Sequence, residues 1–305
     1  MTDQPPTFSV IIPFLNEERW LPSCLQSLRC QTIDPALFEV ICIDNGSTDR
    51  SAEIVRADPR VILLGERRRD PYLARNRGIA VAKGRHIAFL DADCVAHPDW
   101  LAEMWNEIRH SDASIVIGYL AYPRPISALL GLYEDYEDFK LRHILRAGLV
   151  NCYFGHAGNM VVRADIFAEL GPFPPMPVVG DTEIIHRLLE KRPGAEVRYA
   201  RLARVVHAEV ESFWTCLAKT YETGGYSETL TRVSSYRILS LAERWRIFAG
   251  CAKEHGHGPV RRSALAAVLL LGWGAFFAGR MARKLSIGDR ATVDPGTYGN
   301  RPAAS

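Results

Sequence analysis

The chain has 305 residues, 48% of them hydrophobic, and its 37 basic and 35 acidic residues leave a formal net charge of +2. This length can bury a sizeable core, either as one large domain or as one domain with a C-terminal appendage. So small a net charge supplies no general attraction for nucleic acid, and we therefore expect no nucleic-acid partner.

The cysteines and the N-terminus both favour a cytosolic protein. The seven cysteines form no Cys-x-x-Cys pair, and we interpret them as reduced thiols. Residues 1–7 contain neither a basic region nor an apolar stretch of signal-peptide length. We therefore expect no export by that route.

Short β-type runs alternate with helix-length patterns through the first 120 residues. The sequence predicts strands at residues 8–14, 38–43, 61–64, 86–90 and 114–120, and helices at residues 17–28, 49–57, 71–82 and 98–108. Two of these helices open with a proline, which suits a first helical turn. Alternation of this kind favours an α/β fold with a parallel sheet.

The remainder of the chain is mainly helical by pattern. Helices are predicted at residues 125–149 and 181–190, a turn-rich stretch with an extended end at 151–162, and two short strands that end near residue 207. Residues 171–177 contain four prolines and should form a loop, because proline breaks the helical hydrogen-bond ladder. Helices continue as far as residue 285, and we expect residues 286–305 to be a disordered tail.

An apolar run at residues 87–90 ends abruptly in two carboxylates, Asp91 and Asp93, with Ala92 between them. Continuous apolar residues fit a strand covered on both faces of a parallel sheet, and such sheets bind ligands beyond the carboxyl ends of their strands. Two hard oxygen ligands at that place suit Mg2+ or Mn2+, and such an ion typically bridges carboxylates to substrate phosphates. The sequence therefore predicts a metal site at Asp91 and Asp93.

Two other predicted strands end in polar residues at the same edge of the sheet. The first is followed by Pro-Phe-Leu-Asn-Glu-Glu at residues 13–18, and the second ends in Asp44. Asp44 closes a buried run and could accept hydrogen bonds from a base or a ribose. Residues 45–49, Asn-Gly-Ser-Thr-Asp, are explained equally well as turn chemistry, since glycine lets the chain turn and the next residues can cap a helix.

Arg75 is the basic residue that we expect to face this crevice. A guanidinium there would neutralise phosphate charge bidentately, assisted by a nearby helix N-terminus. The triple-arginine run at residues 67–69 is more typical of a solvated loop.

Together these segments resemble the family-2 glycosyltransferases of the GT-A fold. The matching motifs, in the usual order, are Pro-x-x-Asn-Glu at 13–17, Asp-x-Gly-Ser-Thr-Asp at 44–49, Ala-Arg-Asn at 74–76, Asp-Ala-Asp at 91–93, Gly-Asn at 158–159, Gly-Pro-Phe at 171–173, Gly-Asp-Thr-Glu at 180–183 and a strand-ending His207. Each motif is weak alone, but their order over residues 7–210 makes the resemblance specific. Two positions depart from the pattern: Asn45 stands where a second Asp is commoner, and Gly180 where the family shows Glu.

The resemblance implies a Rossmann-like, mostly parallel sheet flanked by helices, which binds a nucleoside diphosphate sugar, most commonly a UDP-sugar, with Mn2+ or Mg2+. The residues that it implies on the donor side are Pro13, Asn16, Glu17, Asp44, Arg75, Asp91 and Ala92. Those that it implies on the acceptor side are His156, Gly158, Asn159 and Glu183. In some relatives a His completes the metal site, so His207 is either a metal ligand or an ordinary strand-end residue.

Asp181 is the predicted catalytic base. A phosphate leaving group, with a second pKa of about 6, departs without a general acid if its charge is neutralised. Attack by an acceptor hydroxyl needs a base, and one carboxylate on the opposite face of the sugar gives direct displacement with inversion. Glu183 would point elsewhere on the helix, toward the acceptor or another helix, and Gly180 lacks a carboxylate that could support the base.

The C-terminal region, residues 211–285, contains a hydrophobic helix at residues 263–279 that carries no charge and is flanked by arginines. Its 17 residues lie at the short end of the spanning range of about 17 to 25. The preceding segment is amphipathic, with Ile238, Leu241 and Trp245 on one face, which suits a lipid surface. We favour association with the inner face of the cell membrane, and a buried domain or dimer helix is the alternative.

We therefore predict an inverting glycosyltransferase with its catalytic domain at residues 1–210 and an unidentified acceptor, such as a lipid-linked or cell-envelope glycan. The alternatives are a sugar nucleotidyltransferase and a catalytically silent sugar-nucleotide-binding protein. A sugar nucleotidyltransferase would require a Gly-rich phosphate loop after the first strand, and residues 13–16 do not form one. An NAD dehydrogenase is disfavoured because Gly-x-Gly-x-x-Gly is absent at the same place. A silent binding protein would have no use for a base at Asp181.

Overall fold

Residues 5–175 and 178–289 are described by the computed structural model, and within them eight strands form one sheet. The strands are β1 (Phe8–Phe14), β2 (Phe38–Asp44), β3 (Val61–Gly65), β4 (His86–Phe89), β5 (Cys94–Ala96), β6 (Ala113–Ala121), β7 (Met160–Arg163) and β8 (Glu196–His207). The helices are α1 (Leu21–Arg29), α2 (Ser51–Arg56), α3 (Pro71–Ile79), α4 (Trp100–Arg109), α5 (Ala128–Arg146), α6 (Ala164–Leu170), α7 (Gly180–Lys191), α8 (Phe213–Val233), α9 (Leu241–Glu254) and α10 (Pro259–Asp289). Most of the predicted tail, residues 290–305, lies outside the described residues.

The strand order is β3-β2-β1-β4-β7-β6-β8-β5. Strands β1 to β4 are parallel to one another, and the five strands predicted in the first 120 residues are confirmed to within one residue at either end. Beyond β4 the sheet is mixed, because β7 is antiparallel to β4 and β6, while β5 is antiparallel to β8. The predicted α/β fold is confirmed, and its parallel part is the half that carries Asp44 and Asp91.

Two short elements of the structure were not predicted, and two predicted elements differ from it. Strand β5, with three residues, and helix α6, with seven, are too short to show a clear period. Strand β8 is one continuous strand where two short ones were expected. Helix α1 begins at Leu21, later than predicted, because the backbone N–H groups of residues 16–18 donate to side chains in residues 47–51.

The strands of the sheet separate two hydrophobic cores. Val10 and Ile12 pack with α1 and α4 on one face, whereas Ile11 packs with α3, α5 and α7 on the other. Every residue of β1 is consequently buried, which is why the run is apolar without alternation. Polar side chains can therefore reach solvent only at the ends of such strands.

Helices α8 and α10 pack on each other through glycines. A side chain at Gly224 would collide with the backbone oxygen of Phe276, and one at Gly279 with the backbone oxygen of Tyr221. Glycine at both positions therefore permits the close approach of the two helices. Helix α10 also contacts α5, so the C-terminal helices lie against the sheet-bearing part of the chain.

Helix α10 has two different faces. Its inner face buries Leu265, Val268 and Leu269, whereas Leu270 is 64% exposed and Leu285 is 73% exposed. Among the side chains of α8 to α10 whose burial is described, the other exposed large apolar ones are Trp214, Tyr221, Leu241, Trp245, Val260, Leu271, Phe277 and Met281. Judged by length and composition alone, Pro259–Leu285 could cross a membrane. Helix α10 thus packs on the protein with one face and exposes an apolar surface on the other.

The predicted division of the chain into two regions near residue 210 stays a prediction.

Candidate active site

The turn between β4 and β5 brings Asp93 to His207. Strand β5 pairs with the end of β8, so that Cys94 lies opposite His207 in the register. The Nε2 atom of His207 lies 2.8 Å from Oδ2 of Asp93. One ligand-type atom each of Asp93, Cys94 and His207 lies within 4.8 Å of the others, so the three could hold a metal ion. Of the two predicted metal carboxylates, Asp93 is therefore the one that lies next to His207.

Lys219, from α8, is a neighbour of this cluster that the sequence analysis missed. Its Nζ atom lies 3.6 Å from Oδ2 of Asp93, 3.1 Å from Nε2 of His207 and 2.7 Å from Oε2 of Glu209. Burial disfavours the Asp93 carboxylate, but the hydrogen bond with His207 and the charge of Lys219 outweigh this and hold the pKa of Asp93 well below its usual range. No sequence signal marks Lys219, because α8 reaches the cluster only through the packing of the helices.

Glu17, a predicted donor-side residue, is close enough to the carboxylates of Asp93 and Glu209 for their charges to shift its pKa. Burial, together with the charges of Asp93 and Glu209, raises the pKa of Glu17 to about 8. A carboxyl with such a pKa carries a proton at neutral pH and can donate a hydrogen bond. A bound cation would reverse this effect, since positive charge favours the carboxylate.

The loops after β1 and β2 are hydrogen-bonded to each other. The side-chain oxygen of Asn16 accepts a hydrogen bond from the N–H of Thr48 at 2.8 Å. Asp44 accepts from the N–H groups of Gly46 at 3.2 Å and Ser47 at 2.8 Å, which closes the turn. Pro13 is buried within β1. Asp44 thus takes part in the turn that residues 45–49 form. That Asp44 also binds the donor stays a prediction.

Asn45 stands where the family that the sequence resembles commonly has Asp, and its contacts require an amide. Its side chain is buried, and its amide nitrogen donates to the backbone oxygens of Glu66 at 3.2 Å and Arg68 at 2.5 Å. An ionised Asp has no hydrogen to donate and would face two carbonyl oxygens. Asn45 therefore fastens the loop after β3 to the loop after β2.

Arg75 reaches Asp91 from α3. Its Nη2 atom donates to Oδ1 of Asp91 at 2.5 Å, and its guanidinium lies over the ring of Tyr72, 4.7 Å from the centroid. Arg75 is buried, whereas the arginines at 67–69 are exposed as expected for a solvated loop. The Nε atom of Arg75 is buried and has no hydrogen-bond partner among the described residues. Ala92, between the two acids, is buried.

Asp181 lies at the start of α7 and is held by backbone amides. Its Oδ2 accepts from the N–H of Ala157 at 2.9 Å, and its Oδ1 from the N–H of Thr182 at 2.8 Å. Gly155 lets the two segments approach, because a Cβ there would lie 2.9 Å from the backbone oxygen of Asp181. Nearby, burial lowers the pKa of His156 and so favours its neutral form.

Two residues predicted on the acceptor side make contacts within the protein, and their acceptor-side role stays a prediction. Asn159 is fully buried, with its Oδ1 accepting from Nε1 of Trp100 and its Nδ2 donating to two backbone oxygens, at Tyr119 and Ala203. These bonds use the hydrogen-bonding groups of the Asn159 side chain within the protein, and they join β6, β7 and β8. The sequence motif could not distinguish this use from ligand binding.

Glu183 pairs with an arginine of its own helix. It is buried and lies 3.2 Å from Nε of Arg187, whose guanidinium donates to the backbone oxygens of Leu170 and Pro172. Glu183 therefore supports the loop that precedes α7. Gly158 keeps a place beside the site, since a Cβ there would lie 3.0 Å from Oδ2 of Asp91.

A cavity of about 420 Å³ joins Asp181 to the C-terminal helices. Polar side chains at its lining include His156, Asp181, His207 and Lys219. The lining also contains the charged residues Glu137, Lys140, Arg237 and Arg244 and a larger number of aromatic or apolar residues, among them Tyr72, Tyr133, Tyr136, Leu269, Trp273 and Phe276. A molecule with both polar and apolar parts would match this mixed lining.

Comparison with known proteins supplies the context for this arrangement. The sequence model described as Glycosyl transferase family 2 matches residues 9–171. The chain is 32% identical over 252 residues to Glycosyltransferase AglE of Haloferax volcanii, covering 79% of this chain and 81% of that protein.

Two solved structures share the fold. Mannosyltransferase PcManGT from Pyrobaculum calidifontis, in complex with GDP-Man and Mn2+, has a TM-score of 0.59 at 19% identity and covers 94% of this chain and 80% of that one. S. aureus TarS 1–349, in complex with UDP-GlcNAc, has a TM-score of 0.56 at 13% identity, and the match covers 92% of each chain.

Proposed function

The chain belongs to glycosyl transferase family 2, and on that premise we propose that it transfers a sugar from a UDP-sugar to an acceptor hydroxyl with inversion at the anomeric carbon. The observation that carries this proposal is that Asp181 and His207 line the same cavity. His207 in turn contacts Asp93 at the end of the parallel sheet. A donor-side cluster and an oriented carboxylate are thereby brought together.

On the donor side, Asp91, Asp93 and His207 would hold a divalent ion, Mn2+ or Mg2+. Carboxylate and imidazole form a donor set that suits Mn2+ well and Mg2+ less well. When bound, the ion would supply positive charge that neutralises the diphosphate leaving group. Arg75 adds a buried guanidinium with an unpartnered Nε, which is suited to a phosphate oxygen. The structural neighbours named with UDP-GlcNAc and with GDP-Man and Mn2+ support a nucleotide-sugar donor.

Asp181 would act as the base. In this step the acceptor oxygen forms a bond to the anomeric carbon, the bond from that carbon to the diphosphate breaks, and the hydroxyl proton moves to Asp181. The N–H groups of Ala157 and Thr182 fix the carboxylate, which reduces the reorganisation needed for reaction. The diphosphate leaves without a proton, so one carboxylate suffices.

On the acceptor side, we propose an amphipathic acceptor, such as a lipid-linked glycan, at the cytosolic face of a membrane. The aromatic lining of the cavity near Trp273 supports an apolar part in the acceptor. The exposed leucines of α10, at 270 and 271, and the arginines that flank the helix support contact with an anionic lipid surface.

The test uses the full-length protein with UDP, GDP and their sugars, each with Mn2+, with Mg2+ or with EDTA. A UDP-sugar should raise the unfolding midpoint only when metal is present, because the proposed ion neutralises the charge of the diphosphate. A ligand at about 100 times its Kd stabilises the folded state by about 2.7 kcal/mol, which is enough to detect. Asp93→Ala should abolish the metal-dependent shift, and His110→Ala, at an exposed position, should keep it. No shift with any nucleotide would refute the proposal. A shift without donor hydrolysis or transfer would favour a silent binding protein.

A further inference from the structure

A second group of ligand-type side chains lies where the turn between α9 and α10 packs on α5. It consists of Asp135 from α5 and of His255 and His257 from the turn. One ligand-type atom of each residue lies within 4.8 Å of the others. The group belongs to different elements from the cluster at Asp93 and plays no part in the proposed transfer.

Two imidazole nitrogens of this group are buried and make no hydrogen bond within the described residues. His257 is only 2% exposed, and its Nδ1 atom has no hydrogen-bond partner among the described residues. The Nε2 atom of His255 is also buried without a hydrogen bond, and Oε1 of Glu254 lies 4.0 Å from it. Buried polar atoms are nearly always paired, so two such nitrogens in one turn indicate that an interacting group belongs there.

The turn holds the two imidazoles in place. Gly256, between them, has a φ of 60°, a left-handed conformation that ends α9 and favours glycine. The N–H of His257 donates to the backbone oxygen of Ala252 at 2.9 Å, and Nε of Arg262 donates to the backbone oxygen of His257 at 2.8 Å. The two imidazole rings consequently lie with their centroids 5.6 Å apart.

The charges around the group are mixed. Glu134 and Asp138 lie near Asp135, but Glu134 is ion-paired with Arg124 and Asp138 with Arg142. Arg261 and Arg262 lie near His257 and oppose a cation. The carboxylate of Asp135 therefore supplies the negative charge that a bound cation would meet.

We propose that Asp135, His255 and His257 form a binding site for a divalent transition metal ion of the zinc class, which fastens the α9–α10 turn to α5. Two imidazoles and one carboxylate are a common zinc donor set, with a fourth position for water. The site is separate from the donor site and selects a softer ion, because nitrogen supplies two of its three ligands.

The test titrates untagged full-length protein, freed of metal by chelation, with Zn2+ and with Co2+ at neutral pH. The parent protein carries Asp93→Ala and His207→Ala, so that the donor cluster contributes no ion. It should bind one Zn2+, show the intense visible absorption of tetrahedral Co2+, and unfold about 5 °C higher with Zn2+ present.

His255→Ala combined with His257→Ala should weaken Zn2+ binding by about 100-fold or more, whereas His110→Ala, an exposed histidine, should leave it unchanged. Because His257 is buried, Asp135→Asn is a second variant that keeps the side-chain shape and should weaken Zn2+ binding at least about tenfold. The proposal is overturned if the parent binds no ion, or if Asp135→Asn and the double variant bind Zn2+ as tightly as the parent.

Discussion

Gly180 has no room for a side chain, because a Cβ there would lie 2.6 Å from Cδ1 of Tyr72. Tyr72 cannot easily give way. Its ring lies beneath the guanidinium of Arg75, and its hydroxyl accepts a hydrogen bond from the N–H of Asp181 at 3.3 Å. The departure from the family's Glu at position 180 is therefore explained by packing. Tyr72 occupies the volume and links the donor-side arginine to the predicted base.

Gly180→Ala should lower the free energy of unfolding by about 1–3 kcal/mol, the usual cost of overpacking. Urea denaturation measures this change. Gly194→Ala is the matched control, since a Cβ at Gly194 meets nothing within 4 Å. In a Tyr72→Ala background the cost at Gly180 should shrink. An undiminished cost in that background would mean that Tyr72 is not the obstacle.

Asp181→Asn should lower kcat by about 100-fold to 10,000-fold, because general base catalysis typically contributes that much. Donor affinity should change little, since the side-chain amide that replaces the carboxylate keeps an oxygen for one of the two backbone N–H groups. Steady-state kinetics with the donor at saturation separate the two effects. Glu183→Gln serves as the control and should retain turnover, because Glu183 contacts Arg187 and not the cavity. Loss of donor binding with normal turnover would assign Asp181 to the donor site.

Glu17 should make the metal-free protein less stable as the pH rises. Its pKa is about 8 in the folded protein against an ordinary value of 4.5, so only the unfolded state ionises between these values. Stability is then lost from about pH 4.5 to pH 8 and is constant above. Glu17→Gln should therefore raise the free energy of unfolding at pH 8, relative to pH 5, by on the order of 1–2 kcal/mol, allowing for partial exposure. The exposed Glu18→Gln is the control, and an equal effect of both substitutions would count against this assignment.

Lys219→Met should tighten Mn2+ binding in the absence of nucleotide. The ammonium contacts the same atoms of Asp93 and His207 that a metal ion would use, so its removal relieves repulsion. We expect the Kd for Mn2+ to fall roughly tenfold, since like charges at this range repel by a few kcal/mol before screening. Isothermal calorimetry measures the change, with Lys83→Met, at an exposed position, as control. An unchanged or weaker affinity would show that Lys219 does not oppose the ion.

The outer face of α10 should decide binding to anionic liposomes. Replacing Leu270, Leu271 and Phe277 together by Gln should lower the bound fraction at least tenfold, because each buried apolar side chain contributes about 1.5–3 kcal/mol. Stability should be nearly unchanged, since all three side chains are exposed. Leu202→Gln, an exposed leucine on β8, is the control. Equal sedimentation of the triple variant and the unaltered protein with liposomes would exclude this surface.

The uncharged run at residues 263–279 illustrates the limit of a composition argument. Lack of charge is required both of a helix that packs in a core and of one that meets lipid. The sequence predicted the helix but could not separate the two uses. In the structure Leu265 is buried and Leu270 is exposed, so the two requirements fall on different faces of the same helix.

By itself the sequence determined the parallel half of the sheet, the family and the place of Asp91 and Asp93, because these rest on local signals. A continuous apolar run predicts a buried strand, and the first carboxylate after the run indicates where the strand ends. The sequence could not give the contact of Asn159 with Trp100 or that of Glu183 with Arg187, because a motif names a residue and not the partners of its side chain.

Only the tertiary structure decided what surrounds Asp93. His207 is 114 positions away in the chain and arrives through the pairing of β5 with β8, and Lys219 arrives through the packing of α8. No period or spacing in a single sequence records such contacts, because they depend on which strand edges and helix faces remain to be covered once the rest of the core has formed.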